Sequence, residues 1–237
     1  MFLEEVRIET HPLVSSTQDL MRERILQGEE MHGLVIRALE QTAGRGQRHR
    51  DWQSEQGGSY QTLALSDSAN KFRHALTPIA VAVGIAQSFS EWNISLGVKW
   101  PNDLYFPFAK GQIGKKVAGI LCEHVAGYLL VAAGVNVNNP VPENAAALSH
   151  LDLEQVNSLV LSGMLQGLGL LEASKVLDVY THYDCLYDQK ISLDYQGKTV
   201  VGTARGITNQ GCLRILSQSE TDLICHSEAR GSIKILK

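Results

Sequence analysis

Runs of apolar positions along the chain recur with two periods, and each predicts its own elements. Leu20, Met21, Ile25 and Leu26 recur at helical spacing, which predicts a helix over residues 18–28 that Ser16 or Thr17 caps and Gly28 ends. The short apolar run after Gly33, Leu34 to Leu39 with Arg37 inside it, predicts a buried strand, and the polar stretch 41–59 behind it is long for a passive connector. A strand over 60–65 and a helix over 76–92, carried by Ile79, Ala80, Val83, Ile85 and Ala86, come next. Four close strands follow, over 94–99, 104–106, 117–123 and 128–135, with Gly127 as a turn. Residues 136–147 read as loop, and 151–168 and 170–186 as two helices parted at Gly167 and Gly169. Beyond Asp188 alternation returns in 191–195, 200–207, 213–215 and 232–235, with turns at Gly197 and Gly211, which predicts a small antiparallel barrel. The fold class is α+β: a mixed or antiparallel sheet with helices on one side over residues 1–188, and a barrel over 189–237.

Composition narrows the function classes. A chain of 237 residues that is 44% hydrophobic and 19% charged is globular, which excludes disordered and fibrous classes. With 21 Lys+Arg against 25 Asp+Glu, the net charge of −4 argues against a surface that tracks nucleic acid throughout. Cys122, Cys185, Cys212 and Cys225 form no C-x-x-C pair and read as reduced thiols. The first ten residues carry acid where a signal peptide needs positive charge and an apolar run, and no window reaches the ~20 apolar residues of a membrane span. The expectation is a cytoplasmic protein.

Candidate chemistry concentrates in two stretches. In Gln41-Thr42-Ala43-Gly44-Arg45-Gly46-Gln47-Arg48-His49-Arg50-Asp51-Trp52, three arginines and a histidine fall within six positions beside two glycines. Such a run also reads as a solvated basic loop. Glycines that let the backbone approach a ligand, forked donors for carboxylate or phosphate, and an indole face move it toward a site for an anion. The dinucleotide fingerprint is not met, because His49 stands where its third glycine would be, and the stretch from Gly111 to Lys116 lacks the spacing of a phosphate-binding P-loop. Cys122-x-His124 and Cys225-His226 do not repeat at zinc-ligand spacing. In the second stretch, Lys99-Trp100-Pro101-Asn102-Asp103, proline keeps Trp100 out of the helical region and presents Asn102 and Asp103 in a turn. Lys115 and Lys116 then open an apolar strand in which Gly119 permits close approach.

Five segments stand in the order seen in biotin protein ligases, and the chain resembles that family: Ser15-Ser16-Thr17, Gln41 to Gly46, Lys99 to Asp103, Lys116 to Leu121 with Glu123, and Gly134 to Asn138. The resemblance implies a class II synthetase-like biotin/lipoate ligase fold with an SH3-like C-terminal barrel. It implies a biotin–[acetyl-CoA-carboxylase] ligase in which residues 1–188 bind biotin and ATP. The motifs begin by residue 15, so the N-terminal DNA-binding domain of some members is expected to be lacking. The implied reaction joins biotin to ATP as biotinyl-5′-AMP, then passes the biotinyl group to a lysine of the biotin carboxyl carrier protein. Two anions must meet in the first step, and cations must offset their repulsion.

By this resemblance Arg45, Lys116 and Asp103 are the catalytic residues. Ser16, Thr17, Gln18, Gln41, Arg45, Gly46, Gln47, Lys116 and Gly119 would bind biotin. Arg48, Arg50, Trp52, Asn102 and Asp103 would bind ATP, with Asp103 also a ligand for its Mg²⁺ and a group to orient or deprotonate the acceptor amine. The family pattern GRGRxGR is broken here by Gln47 and His49, which removes one fixed charge and leaves Arg48 as the alternative holder of the adenylate. The loop over 42–59 is expected to order over the adenylate. A lipoate or octanoate ligase or transferase of the same fold is the near alternative, and an RNA-binding module using the arginines the distant one. No DNA and no membrane partner is expected, and a homodimer is left open.

Overall fold

The computed structural model describes residues 6–67, 75–106, 114–217, 220–224 and 229–236. The Gly111 stretch compared with a P-loop lies largely outside the described residues, as do the Cys225-His226 pair and residues 1–5. Elements run β1 Arg7–His11, α1 Thr17–Leu26, β2 Leu34–Ala38, β3 Ser59–Ser66, α2 Leu76–Ser90, β4 Gly97–Lys99, β5 Asp103–Tyr105, β6 Lys116–Val125, β7 Tyr128–Val135, α3 Leu153–Glu172 and α4 Val176–Tyr180. They are followed by β8 Lys190–Tyr195, β9 Lys198–Ile207, β10 Leu213–Ser217, β11 Glu220–Ile224 and β12 Ala229–Ile235. The first seven strands form one mixed sheet in the order β1-β2-β3-β7-β6-β5-β4, in which only β1 and β2 run parallel. The last five form a small antiparallel β domain in the order β11-β10-β9-β8-β12. Among the described residues no helix is long and apolar enough to cross a membrane.

Alternation along the central strands separates two apolar layers. Val35, Leu63, Leu65, Leu129 and Val131 face α2 and α3, in a core that continues into the second sheet through Ile191, Leu193, Leu213 and Ile215. Leu34, Ile36, Ala64 and Leu130 face the other way and cover Met21 and Ile25 of α1. Helices therefore stand on both faces, which corrects the expectation of helices on one side. Periodicity shows that a helix has an apolar stripe but not which face of the sheet receives it.

A second correction concerns the glycines of α3. Residues 153–172 form one helix, capped by Asp152, whose side chain accepts from the Gln155 N–H at 3.0 Å. Gly167 and Gly169, the expected break, do not interrupt it. A Cβ at Gly167 would stand 2.3 Å from the Ala80 carbonyl oxygen, and one at Gly163 would stand 2.4 Å from Ile85 Cα. These glycines let α3 lie backbone against backbone on α2, where Gly84 meets them from the other side. Cys122 and Cys185 are free, whereas Cys212 is disulfide-bonded, which corrects the reading of four reduced thiols. Linear spacing does not carry the register that brings distant cysteines together.

Candidate active site

α1 begins at the mouth of a cavity on its own face of the large sheet. Ser16, in extended conformation, caps the helix by accepting from the Asp19 N–H at 3.4 Å, and Thr17 and Gln18 are buried in the first turn. The chain leaving β2 folds back over this turn. Gln41 Oε1 accepts from the Thr17 N–H at 2.8 Å, and Gln41 Nε2 donates to Ser54 Oγ at 2.8 Å. The arginine loop has a frame of its own: Ala43 N–H donates to the Ser15 carbonyl, Gly46 N–H to the Arg50 carbonyl and Trp52 N–H to the Gly44 carbonyl. Within it a 3₁₀ turn over Gln47–His49 puts Arg48 in the left-handed region at φ 59°.

The cavity is lined by Ser16, Thr17, Gln18, Gln41, Arg45, Gly46, Gln47, Lys116 and Gly119, so every residue expected at the biotin end is brought together. Trp52 and Asn102, expected at the ATP, also line it. Arg48 and Arg50 are exposed and outside the lining, and Asp103 touches the site through Lys116. Tyr60, Ile120, Leu121, Ala132, Ala133 and Gly134 complete the walls. Tyr60 and Ala132 went unnoticed in the sequence because they read as ordinary strand residues. Their strand alternation toward the α1 face was the available signal.

The two cations in the lining are each held by a carboxylate. Arg45 pairs with Asp19 of α1, and Lys116 Nζ lies 2.6 Å from Asp103 Oδ1 and 5.1 Å from the centroid of the Trp52 ring. Asn102 is 8% exposed and is locked on β6: its Nδ2 donates to the Ile120 carbonyl at 2.7 Å while the Ile120 N–H donates to the Asn102 carbonyl at 2.9 Å. The preceding residues tie this turn to the second sheet. Trp100 Nε1 donates to the Gly211 carbonyl at 2.9 Å, and Lys99 Nζ to the Ile233 carbonyl at 3.1 Å. Burial lowers the Lys99 ammonium from its ordinary value, against the opposing pull of Asp103. Among the described residues no three acidic, histidine or cysteine side chains gather around a common point that could hold a metal.

Trp52 limits the space. A Cβ at Gly134 would stand 2.5 Å from Trp52 Nε1, and one at Gly119 3.2 Å from Trp52 Cζ3, so the indole lies directly on two side-chain-free positions of β6 and β7. The free volume that remains is about 50 Å³. Sites for small molecules span roughly 300–1,000 Å³, so a ligand of that kind enters only if the indole and its loop give way.

The Biotin/lipoate A/B protein ligase family profile matches residues 10–138 of this chain. The chain is similar to the bifunctional ligase/repressor BirA of Bacillus subtilis, at 28% identity over 228 residues, covering 86% of this chain and 67% of that one. It is also similar to the biotin–[acetyl-CoA-carboxylase] ligase of Mycobacterium tuberculosis, at 30% identity over 146 residues, covering 59% and 52% of the two chains. Among solved structures, the biotin protein ligase of Aquifex aeolicus in complex with biotin and ATP superposes with a TM-score of 0.82. It shares 24% identity over 97% of this chain and 99% of that one, a likeness of fold.

Proposed function

Since the chain belongs to the biotin/lipoate A/B protein ligase family, we propose that it is a biotin protein ligase. It activates biotin with ATP as biotinyl-5′-AMP and transfers the biotinyl group to a lysine of the biotin carboxyl carrier protein of acetyl-CoA carboxylase. The observation that carries the reading is the meeting of Arg45 and Lys116, 71 positions apart in sequence by 116 − 45, in the lining of one cavity with the polar first turn of α1.

In the first step a carboxylate oxygen of biotin attacks the α-phosphorus of ATP and pyrophosphate leaves. Nucleophile and electrophile are both anionic, and Arg45 and Lys116 supply the positive field that lets them approach. Ser16, Thr17, Gln18, Gln41 and the Gly46–Gln47 backbone hold the headgroup, and Gly119 gives it room. Arg48, Arg50, Trp52 and Asn102 serve the nucleotide, the two arginines reaching in from the exposed loop. In the second step the acceptor amine attacks the acyl carbon and AMP leaves. Asp103, beside Lys116, orients that amine and takes its proton.

Mg²⁺ typically binds through one or two carboxylates together with substrate phosphates. Asp103 fits such a single contact, and the ion neutralises phosphate charge when it arrives with ATP.

Labelled biotin, ATP and Mg²⁺ followed by a biotin carrier domain give label on the carrier, and biotin-dependent exchange of pyrophosphate into ATP reports the first step alone. Transfer of lipoate in place of biotin refutes the assignment in favour of the family's other branch.

A further inference from the structure

Two residues of the cavity lining each carry a buried side-chain atom that lacks a hydrogen-bond partner within the protein. One is an acceptor, Gln18 Oε1, and the other a donor, Trp52 Nε1. Gln18 is 2% exposed, and buried polar groups as a rule find a partner. The direction of its amide is fixed from behind. Gln18 Nε2 donates to Glu123 Oε2 at 2.9 Å, and the other oxygen of that carboxylate takes Arg22. A carboxylate held in an ion pair only accepts, so the NH₂ end of Gln18 must face Glu123 and the carbonyl must face away from it. Gln18 and Arg22 stand four apart on α1, the spacing that puts two side chains on one face. Both therefore reach the same residue of β6.

We propose that Gln18 is a specificity-determining residue, an acceptor aimed by Glu123 and Arg22 that reads a ring N–H of the ligand's headgroup and so selects a cyclic urea over a dithiolane. The inference rests on the ligase reading and deepens it. A urea ring carries two N–H donors and one carbonyl, whereas the dithiolane of lipoate has no donor to offer. Lipoate in this cavity would leave the Gln18 carbonyl buried and unpaired, and sites built around a required hydrogen bond reject ligands that lack it. Glu123 is a positioning residue that acts through Gln18.

The test compares biotin with the two cyclic carbamates in which one or the other ring N–H is replaced by oxygen, using pyrophosphate exchange by the full chain. One carbamate sets an oxygen against the Gln18 carbonyl, and kcat/KM for it is expected to fall at least about tenfold below that for biotin in the wild type. In Gln18→Ala the ratio is expected to close to within about threefold. Glu123→Gln, whose neutral amide no longer dictates the direction of Gln18, is expected to narrow it as well and to raise KM for biotin more than it lowers kcat. The ratio does not depend on how much of a variant is folded. The same ratio in the wild type and in Gln18→Ala overturns the inference while leaving the ligase reading intact. Wild-type protein that supports exchange with none of the three compounds overturns both.

Discussion

Replacing Lys116 with Met separates the chemical from the structural use of its ammonium. The side chain is 28% exposed and its partner Asp103 is 22% exposed, so water reaches both ends of the ion pair. Pairs of that kind contribute about 1 kcal/mol or less. Methionine keeps most of the apolar stem against Trp52 and Gly119. A domain with a stability of roughly 5–15 kcal/mol stays folded after such a loss. The expected cost to the reaction is much larger. Removing one preorganised group from the place where charge develops lowers kcat by roughly 100- to 1,000-fold, or about 2.7–4 kcal/mol. Pyrophosphate exchange dependent on biotin measures this step, and a urea melt measures the other.

Supplying synthetic biotinyl-5′-AMP bypasses the step in which two anions meet. Transfer from the preformed adenylate to a carrier domain is therefore expected to fall less than exchange does, by an order of magnitude or more. An exchange rate within about threefold of the wild type would sink the argument that the ammonium works on the first step. So would equal loss of both half-reactions with an unchanged melt, because the role of Lys116 would then not be confined to the step in which two anions meet.

Four further outcomes follow from the geometry. Trp100→Phe removes the donor to the buried Gly211 carbonyl and is expected to cost about 1–3 kcal/mol in urea, and an unchanged midpoint would show that this link to the second sheet contributes nothing. Gly167→Ala replaces a poor helix former with the best one, yet its methyl would stand 2.3 Å from the Ala80 carbonyl oxygen. Net destabilisation of about 1–3 kcal/mol is expected, and a rise in stability would contradict the close crossing of α2 and α3. Biotin with ATP is expected to protect the loop over 42–59 from protease and to shift the emission of Trp52, since the indole must yield its place; identical digestion with and without ligand speaks against both. Burial pushes the Cys122 and Cys185 thiols up to about 12, so at pH 8 roughly one in 10⁴ is thiolate and native protein is expected to react slowly with a thiol reagent at these two positions. Rapid labelling of either would show that burial does not hold its thiol protonated.

The sequence carried the elements whose burial is one-sided or complete, and it failed where burial follows neither rule. The apolar run of β2, interrupted only by Arg37, and the periodic stripe of α2 announce themselves because their apolar positions are used in the core. β1 does not, since Arg7–His11 forms an edge strand of mostly exposed residues, and its pairing to β2 comes from backbone groups that have no sequence signature. β11 is missing from the alternation pattern as well. Gly167 reads as a break because a glycine in a helix costs stability, and only the neighbouring helix reveals the compensating contact.

The site divides along the same line. Arg45 stands out in the sequence as one of three arginines beside two glycines, whereas Gln41 and Lys116 are picked out only by the resemblance of their segments to biotin protein ligases. Asp19 has no such signal, and the pairing of Asp103 with Lys116 has none either, because a pair across 26 or 13 positions, 45 − 19 and 116 − 103, is a product of the fold. Those pairs also balance the charge of the site. Arg45 and Lys116 together with Asp19 and Asp103 sum to zero charge, so the closed cavity carries no unpaired cation of the four. An anionic ligand adds charge to a balanced set, and it holds its place only if it takes donors from Asp19 or Asp103 or brings a cation of its own. Binding of a carboxylate alone is therefore expected to be weaker than binding of the carboxylate together with magnesium nucleotide, which makes the two substrates depend on each other through four side chains of this one cavity.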